Sequence, residues 1–155
     1  MQDNAFISVV IPVYNEEKYI EGCLSSMLAQ DYPRSRMEWI FVDGGSTDRT
    51  RELLEDYRAR FPELICVLEN PHRTVPYAMN IGIRASRGEY IIRLDVHAEY
   101  APDYFSSCIS VLCLTGADNA GGVMVTKART RAGRTIAKLV SSSFGVGNSG
   151  FRTGA

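Results

Sequence analysis

The sequence lacks any run approaching about 18 uninterrupted apolar residues, so it contains no membrane-spanning helix. It lacks an excess of either charge. Seventeen Lys and Arg face eighteen Asp and Glu, for a net charge of −1. The basic surplus that nucleic-acid binders carry is therefore missing, and nucleic acid is not expected as a partner. The N-terminal "MQDNAFISVVIP" has no charged leader region and no cleavage site, so no signal peptide is expected. The four cysteines, Cys23, Cys66, Cys108 and Cys113, form no CxxC. Each falls in an otherwise apolar pattern, which predicts buried free thiols and a reducing, cytoplasmic location. Neither common phosphate loop is where it would serve: there is no GxxxxGK[ST], and no GxGxxG directly follows the first strand. A glycine cradle for phosphate is thereby excluded. The length of 155 residues suits one domain. A chain of that size buries about 68–70% of its unfolded surface, so it needs neither disulfides nor structural zinc.

What is present is alternation. "FISVVIP" (6–12), "MEWIFVD" (37–43), "LICVLE" (64–69) and "EYIIRLD" (89–95) are short apolar runs that read as buried strands. Between them lie segments of helical period: 15–30, 46–61, 74–88 and 102–116. Asn15 is expected to cap the first, with Glu16 and Glu17 in its opening turn. Ser46–Asp48 offers the same service to the second. Pro76 and Pro102 suit first turns, and Gly88 and Gly116 suit helix ends. "NAGGVMV" (119–125) reads as a fifth strand. Such βαβα order predicts an α/β fold, a mostly parallel, Rossmann-like sheet with helices on both faces and right-handed crossovers.

In a parallel sheet every strand's C-terminal end lies on one edge, and ligands bind there where strand order reverses. The residues after the four strands are "PVYNEE", "DGGSTD", "ENPHRT" and "DVHAE". They hold acids, glycines, two histidines and an arginine, whereas the other edge has ordinary turn residues. With no phosphate loop, a metal between carboxylates and a diphosphate is the other usual solution. Asp95-Val96-His97 is the candidate for it: alternate residues of an extended chain point the same way, so strand geometry continued to residue 97 would aim both groups at one spot.

These blocks, "SVVIPVYNEEKYIEGCLSSMLAQDYP", "FVDGGSTDRT", "AMNIGIRASRG" and "GEYIIRLDVHAEYAPDYF", resemble the inverting family 2 glycosyltransferases over about residues 7–105. Residues 121–151 look more narrowly like the bacterial exopolysaccharide, succinoglycan-type branch. The resemblance implies a GT-A fold with a nucleotide-sugar-binding half, here 1–125, and the start of an acceptor-binding region, 126–155. It implies a UDP-linked or similar donor and a lipid-linked saccharide acceptor. By position, Pro12, Tyr14 and Glu16 would line the nucleoside pocket, Asp43 would bond the base, the Asn80 region would lie near the diphosphate, and Asp95 would open the family's DxD metal motif.

This chain departs from that pattern in having Asp43-Gly44 where two acids are common, and DxH where DxD is. Imidazole is softer than carboxylate, which favours Mn²⁺ over Mg²⁺. The family's general base lies well downstream of DxD and is expected beyond Ala155, as is any membrane contact, with the whole protein at the inner face of the membrane. A sugar nucleotidyltransferase would need a Gly-rich basic loop after the first strand, and "PVYNEE" is acidic. A non-catalytic nucleotide-binding module would share the same pocket.

Overall fold

Strand β1, Ile7–Val13, lies at the centre of a parallel sheet. The computed structural model describes residues 5–124, together with Ala132 and Thr135. After β1 come α1 (Ile20–Leu28), a single 3-10 turn (Arg34–Arg36), β2 (Met37–Asp43), α2 (Thr50–Arg60), β3 (Ile65–Glu69), α3 (Val75–Ala85), β4 (Tyr90–Arg93) and α4 (Tyr104–Thr115). The strand order is β3-β2-β1-β4, all parallel.

Period-two burial sorts the strands onto two layers. Ile7, Val9, Ile11 and Val13 of β1, with Trp39 and Phe41 of β2, join one large core with Ile20 and Leu24 of α1, Leu54 of α2 and Phe105 and Ile109 of α4. The intervening Val10, Ile40 and Val42 join Ala78 of α3 on the opposite face. The topology explains the division. From β1 to β3 the chain steps one way across the sheet; from β3 to β4 it returns past β1. Right-handed crossovers in opposite directions must pass over opposite faces. Gly82 lets α3 lie close, because a Cβ there would collide with Val10 Cγ1.

Four local expectations are corrected. Helix α1 begins at Ile20, not next to Asn15, for a reason given below. Helix α3 ends at Ala85 with an extended Ser86 as its cap; Gly88 instead lets the chain pass tightly against β1, since a Cβ there would meet the Ser8 backbone nitrogen. Residues 119–124 form no strand: the Gly121-Gly122 pair has little to pack, and Val123 and Met124 are exposed. Val125 and nearly all of the proposed acceptor region, 126–155, lie outside the described residues. Cys66 is exposed on β3, a sheet-edge strand, although Cys23 and Cys108 are buried; all four thiols are free. Burial pushes the Cys23 thiol up to about 12. Pro76 does sit in the first turn of α3, and Gly116 closes α4 with φ +67.

Candidate functional site

Register aligns the ends of three strands. Val13 pairs with Asp43, and Asp43 with Glu69. Beside them, β4 ends on the other side of β1, so the reversal of strand order falls between β1 and β4. A cleft of about 140 Å³ opens on this edge. It is lined from β1 by Pro12, Tyr14 and Glu16, from β2 by Val42 and Gly44, from β3 and the start of α3 by Asn70, Arg73, Thr74 and Ala78, and beyond β4 by Asp95, Val96 and His97. A whole drug-sized ligand takes roughly 300–1,000 Å³, more than the cleft alone encloses. A roomier groove, about 380 Å³, opens at the opposite edge between Phe6, Met37, Phe61 and Leu64. None of the expected site residues lines it.

One end of the cleft is a slot. Gly44 forms its floor, and Gly45 follows it with φ +79. A Cβ on Gly44 would stand 3.3 Å from the Tyr14 ring, and one on Gly45 would stand 3.8 Å from the Arg73 guanidinium. An aromatic ring and a planar cation thus flank a bare backbone. Arg73 has φ +58, held by a turn in which its amide donates to the Asn70 carbonyl at 3.2 Å. Asn70 is buried, donating to the Thr74 carbonyl at 2.9 Å. The Arg73 guanidinium has no hydrogen bond or ion pair among the described residues.

A latch between two loops fixes the Tyr14 side of the slot. Three successive amides after β1 are taken by side chains of the loop after β2. Asn15 N–H donates to Ser46 Oγ at 2.9 Å, Glu16 N–H to Thr50 Oγ1 at 2.7 Å, and Glu17 N–H to Asp48 Oδ2 at 3.2 Å. In return Thr47 N–H donates to Asn15 Oδ1 at 2.8 Å, and Arg49 N–H to Glu17 Oε2 at 3.1 Å. Asn15 adopts φ +54 to do this. That is why it does not cap α1. Burial pushes Asp48 up slightly, but Thr50 and the backbone amides outweigh it and hold the carboxyl below its usual range. Asp43 is buried beneath, its Oδ1 accepting the Ser46 hydroxyl at 2.6 Å and amide at 3.1 Å.

The other end holds Asp95 and His97. They reach the cleft by a turn rather than by strand alternation. The ladder of β4 ends with Leu94 N–H on the Val10 carbonyl at 3.1 Å, and Ala98 N–H then closes back on the Asp95 carbonyl at 3.1 Å. Leu94 and Val96 are buried on either side. Asp95 Oδ1 meets Arg93 Nη2 at 3.0 Å, and His97 Nδ1 stands 3.7 Å from Glu16 Oε1. Among the described residues no three His, Cys, Asp or Glu side chains form a metal cluster on their own. One carboxylate and one imidazole on a single turn still fit a divalent ion that takes its remaining donors from a bound ligand.

The structure therefore brings Pro12, Tyr14, Glu16, Asp95 and His97 together. Asp43 lies under the cleft and does not line it, with both carboxylate oxygens accepting from Ser46. Asn80 is exposed on α3 and is not among the lining residues. Arg73 was not singled out by the sequence, although it stands in the polar "ENPHRT" after the third strand.

A family model for glycosyl transferase family 2 matches residues 8–149. The chain belongs to glycosyl transferase family 2. It is 33% identical over 151 residues to the dolichyl N-acetyl-alpha-D-glucosaminyl phosphate 3-beta-D-2,3-diacetamido-2,3-dideoxy-beta-D-glucuronosyltransferase of Methanococcus voltae, covering 94% of this chain and 47% of that protein. It is 32% identical over 149 residues to the succinoglycan biosynthesis protein of Rhizobium meliloti, covering 95% and 44%. The chain thus spans about half the length of these relatives. Among solved structures it is similar to the mannosyltransferase of Pyrobaculum calidifontis in complex with GDP-mannose and Mn²⁺, with TM-score 0.66 and 27% identity over 88% of this chain and 40% of that one. The α/β fold expected for a family 2 glycosyltransferase is the fold observed, a four-stranded parallel sheet with helices on both faces.

Proposed function

We propose that the cleft holds the nucleoside diphosphate of a sugar donor, and that the whole protein transfers that sugar, with inversion, to a lipid-linked saccharide of a surface polysaccharide. The observation that carries this is the convergence of the Tyr14–Gly44–Gly45–Arg73 slot with Asp95 and His97 in one cleft at the switch point of the sheet. The Tyr14 ring over Gly44 suits stacking on a planar base. Asp43 anchors the floor through Ser46, and its Oδ2, which accepts only the Ser46 amide at 3.3 Å, is the oxygen with capacity left for a base contact. The mannosyltransferase complex supports a nucleotide-sugar donor with a divalent ion. The dolichyl-linked acceptor in the archaeal relative's name and the succinoglycan relative support a lipid-linked polysaccharide acceptor. Four free thiols support the expected reducing, cytoplasmic setting.

Asp95 and His97 would hold the divalent ion, Mn²⁺ in preference to Mg²⁺, and the ion would offset charge on the leaving diphosphate. Arg73 acts on the same anion from the other wall. No Asp or Glu occurs in residues 119–155, and no carboxylate of the cleft is assigned as the group that accepts the acceptor's proton. Titration calorimetry of UDP and of GDP, in Mn²⁺, in Mg²⁺ and in chelator, tests the reading. Affinity should fall in that order. His97→Asp should narrow the Mn²⁺–Mg²⁺ gap, and Asp95→Ala should abolish the metal dependence. Equal binding in chelator would reduce Asp95 and His97 to a polar strand end.

A further inference from the structure

Asp95 is held by its backbone as well as aimed by its turn. Its N–H donates to the Tyr100 hydroxyl at 2.8 Å. The same hydroxyl donates to the Asp95 carbonyl at 3.2 Å. One phenol oxygen thus meets both main-chain polar groups of the residue, sharing the carbonyl with the Ala98 amide but taking the N–H alone. The preceding amide, Leu94, is already spent on β1. The clamp is itself fixed. The Tyr100 ring packs against the main core, 5.2 Å from the Tyr104 ring.

We infer that Tyr100 is a positioning residue for the donor site: its hydroxyl clamps the Asp95 backbone and thereby sets where the Asp95 carboxylate meets the metal-bound diphosphate. The inference rests on the nucleotide-donor reading of the cleft. Nothing else in the turn fixes the Asp95 amide. Its side chain has a competing partner in Arg93, 3.0 Å away on an exposed flank. Release of the backbone frees the carboxylate to follow Arg93, and small displacements of a ligand-holding group are costly.

Tyr100→Phe deletes one oxygen and keeps the ring. On the full 155-residue chain, calorimetry of UDP and GDP should show affinity in Mn²⁺ lowered about tenfold, the lower end for loss of an outer partner of a metal ligand. Affinity in chelator should not change. A purely structural role would weaken both. Combined with Asp95→Ala, Tyr100→Phe should cost nothing further in Mn²⁺. Equal Mn²⁺-dependent affinity in Tyr100→Phe and the unaltered chain overturns the clamp alone. Metal-independent binding, or none, by the unaltered chain overturns the donor reading and the clamp's role with it. If Tyr100→Phe melts below the assay temperature, hydrogen exchange in the unaltered chain decides: an Asp95 amide exchanging like a free peptide overturns the clamp.

Discussion

Glu38→Gln should destabilise the protein without touching the cleft. Glu38 lies on β2 near the opposite edge of the sheet, 7% exposed. Its Oε1 accepts the Ser8 hydroxyl at 2.7 Å and the Arg87 amide at 2.8 Å. Its Oε2 accepts Arg87 Nε at 2.9 Å and Nη2 at 2.8 Å. The first two bonds are charge-assisted and shielded. A neutral amide keeps an acceptor but loses about 1 kcal/mol from each. The guanidinium is 70% exposed, so its share is discounted to about 0.5 kcal/mol. The sum is about 2.5 kcal/mol at pH 7, or a melting temperature roughly 5–10 °C lower. The pH dependence carries a sign. Burial raises the Glu38 carboxyl, but Ser8 and Arg87 outweigh it and hold it below the ordinary 4.5. A depressed carboxyl stabilises fully above its unfolded value and loses that contribution as pH falls through its folded value. The gap between Glu38→Gln and the unaltered chain should therefore hold above the ordinary 4.5 and shrink only as the pH falls below it, through the depressed folded value. Thermal melts of both proteins across that range measure it. A gap under about 0.5 kcal/mol at pH 7, or one that persists undiminished in acid, refutes the reasoning.

Two further substitutions follow from the same kind of contact. Asn15→Ala removes the acceptor of the Thr47 amide, which should cost about 1–2 kcal/mol and weaken UDP or GDP binding several-fold by loosening Tyr14; full affinity in calorimetry would show that the latch does not shape the slot. Gly82→Ala adds a Cβ against Val10, and overpacking of about 1–3 kcal/mol should exceed the roughly 1 kcal/mol gained in helix propensity. Urea denaturation should show net destabilisation, and a more stable variant would mean that α3 shifts freely on the sheet.

Much of the frame was legible because it rests on local pattern. The β-branched runs at 7–13 and 37–43 are strands whose alternate residues serve two cores, and the intervening periodic segments are helices. What was not legible depends on residues far apart in sequence. Asn15 looks like a helix cap, but its amide and those of Glu16 and Glu17 find better acceptors some thirty positions later, at Ser46, Thr50 and Asp48. Cys66 sits in an apolar run, yet β3 ends the described sheet on its side and leaves that thiol exposed. Asp95 and His97 were read correctly as neighbours, for the wrong geometric reason. A turn replaces the continued strand, and its backbone clamp, Tyr100, carries no motif. Arg73 is one polar residue among several in its loop; only the left-handed backbone that turns it over Gly45 sets it apart.

If the cleft holds a nucleoside diphosphate as proposed, charge decides on which wall an ion would stand. The wall from β3 is positive: it holds the unpaired Arg73 guanidinium and Thr74 and Val75 at the start of α3, where the helix dipole is positive. The wall from β1 and β4 carries Glu16 and Asp95. A diphosphate between them meets the first wall directly. It would face repulsion from the second unless a cation stands between, and Asp95 with His97 is the part of that wall able to hold one. Removal of the ion should then harm binding more than loss of Arg73, because it turns an attraction into a repulsion. Arg73→Ala in Mn²⁺ against the unaltered chain in chelator compares the two, and weaker binding by the former would place the diphosphate on the α3 side alone.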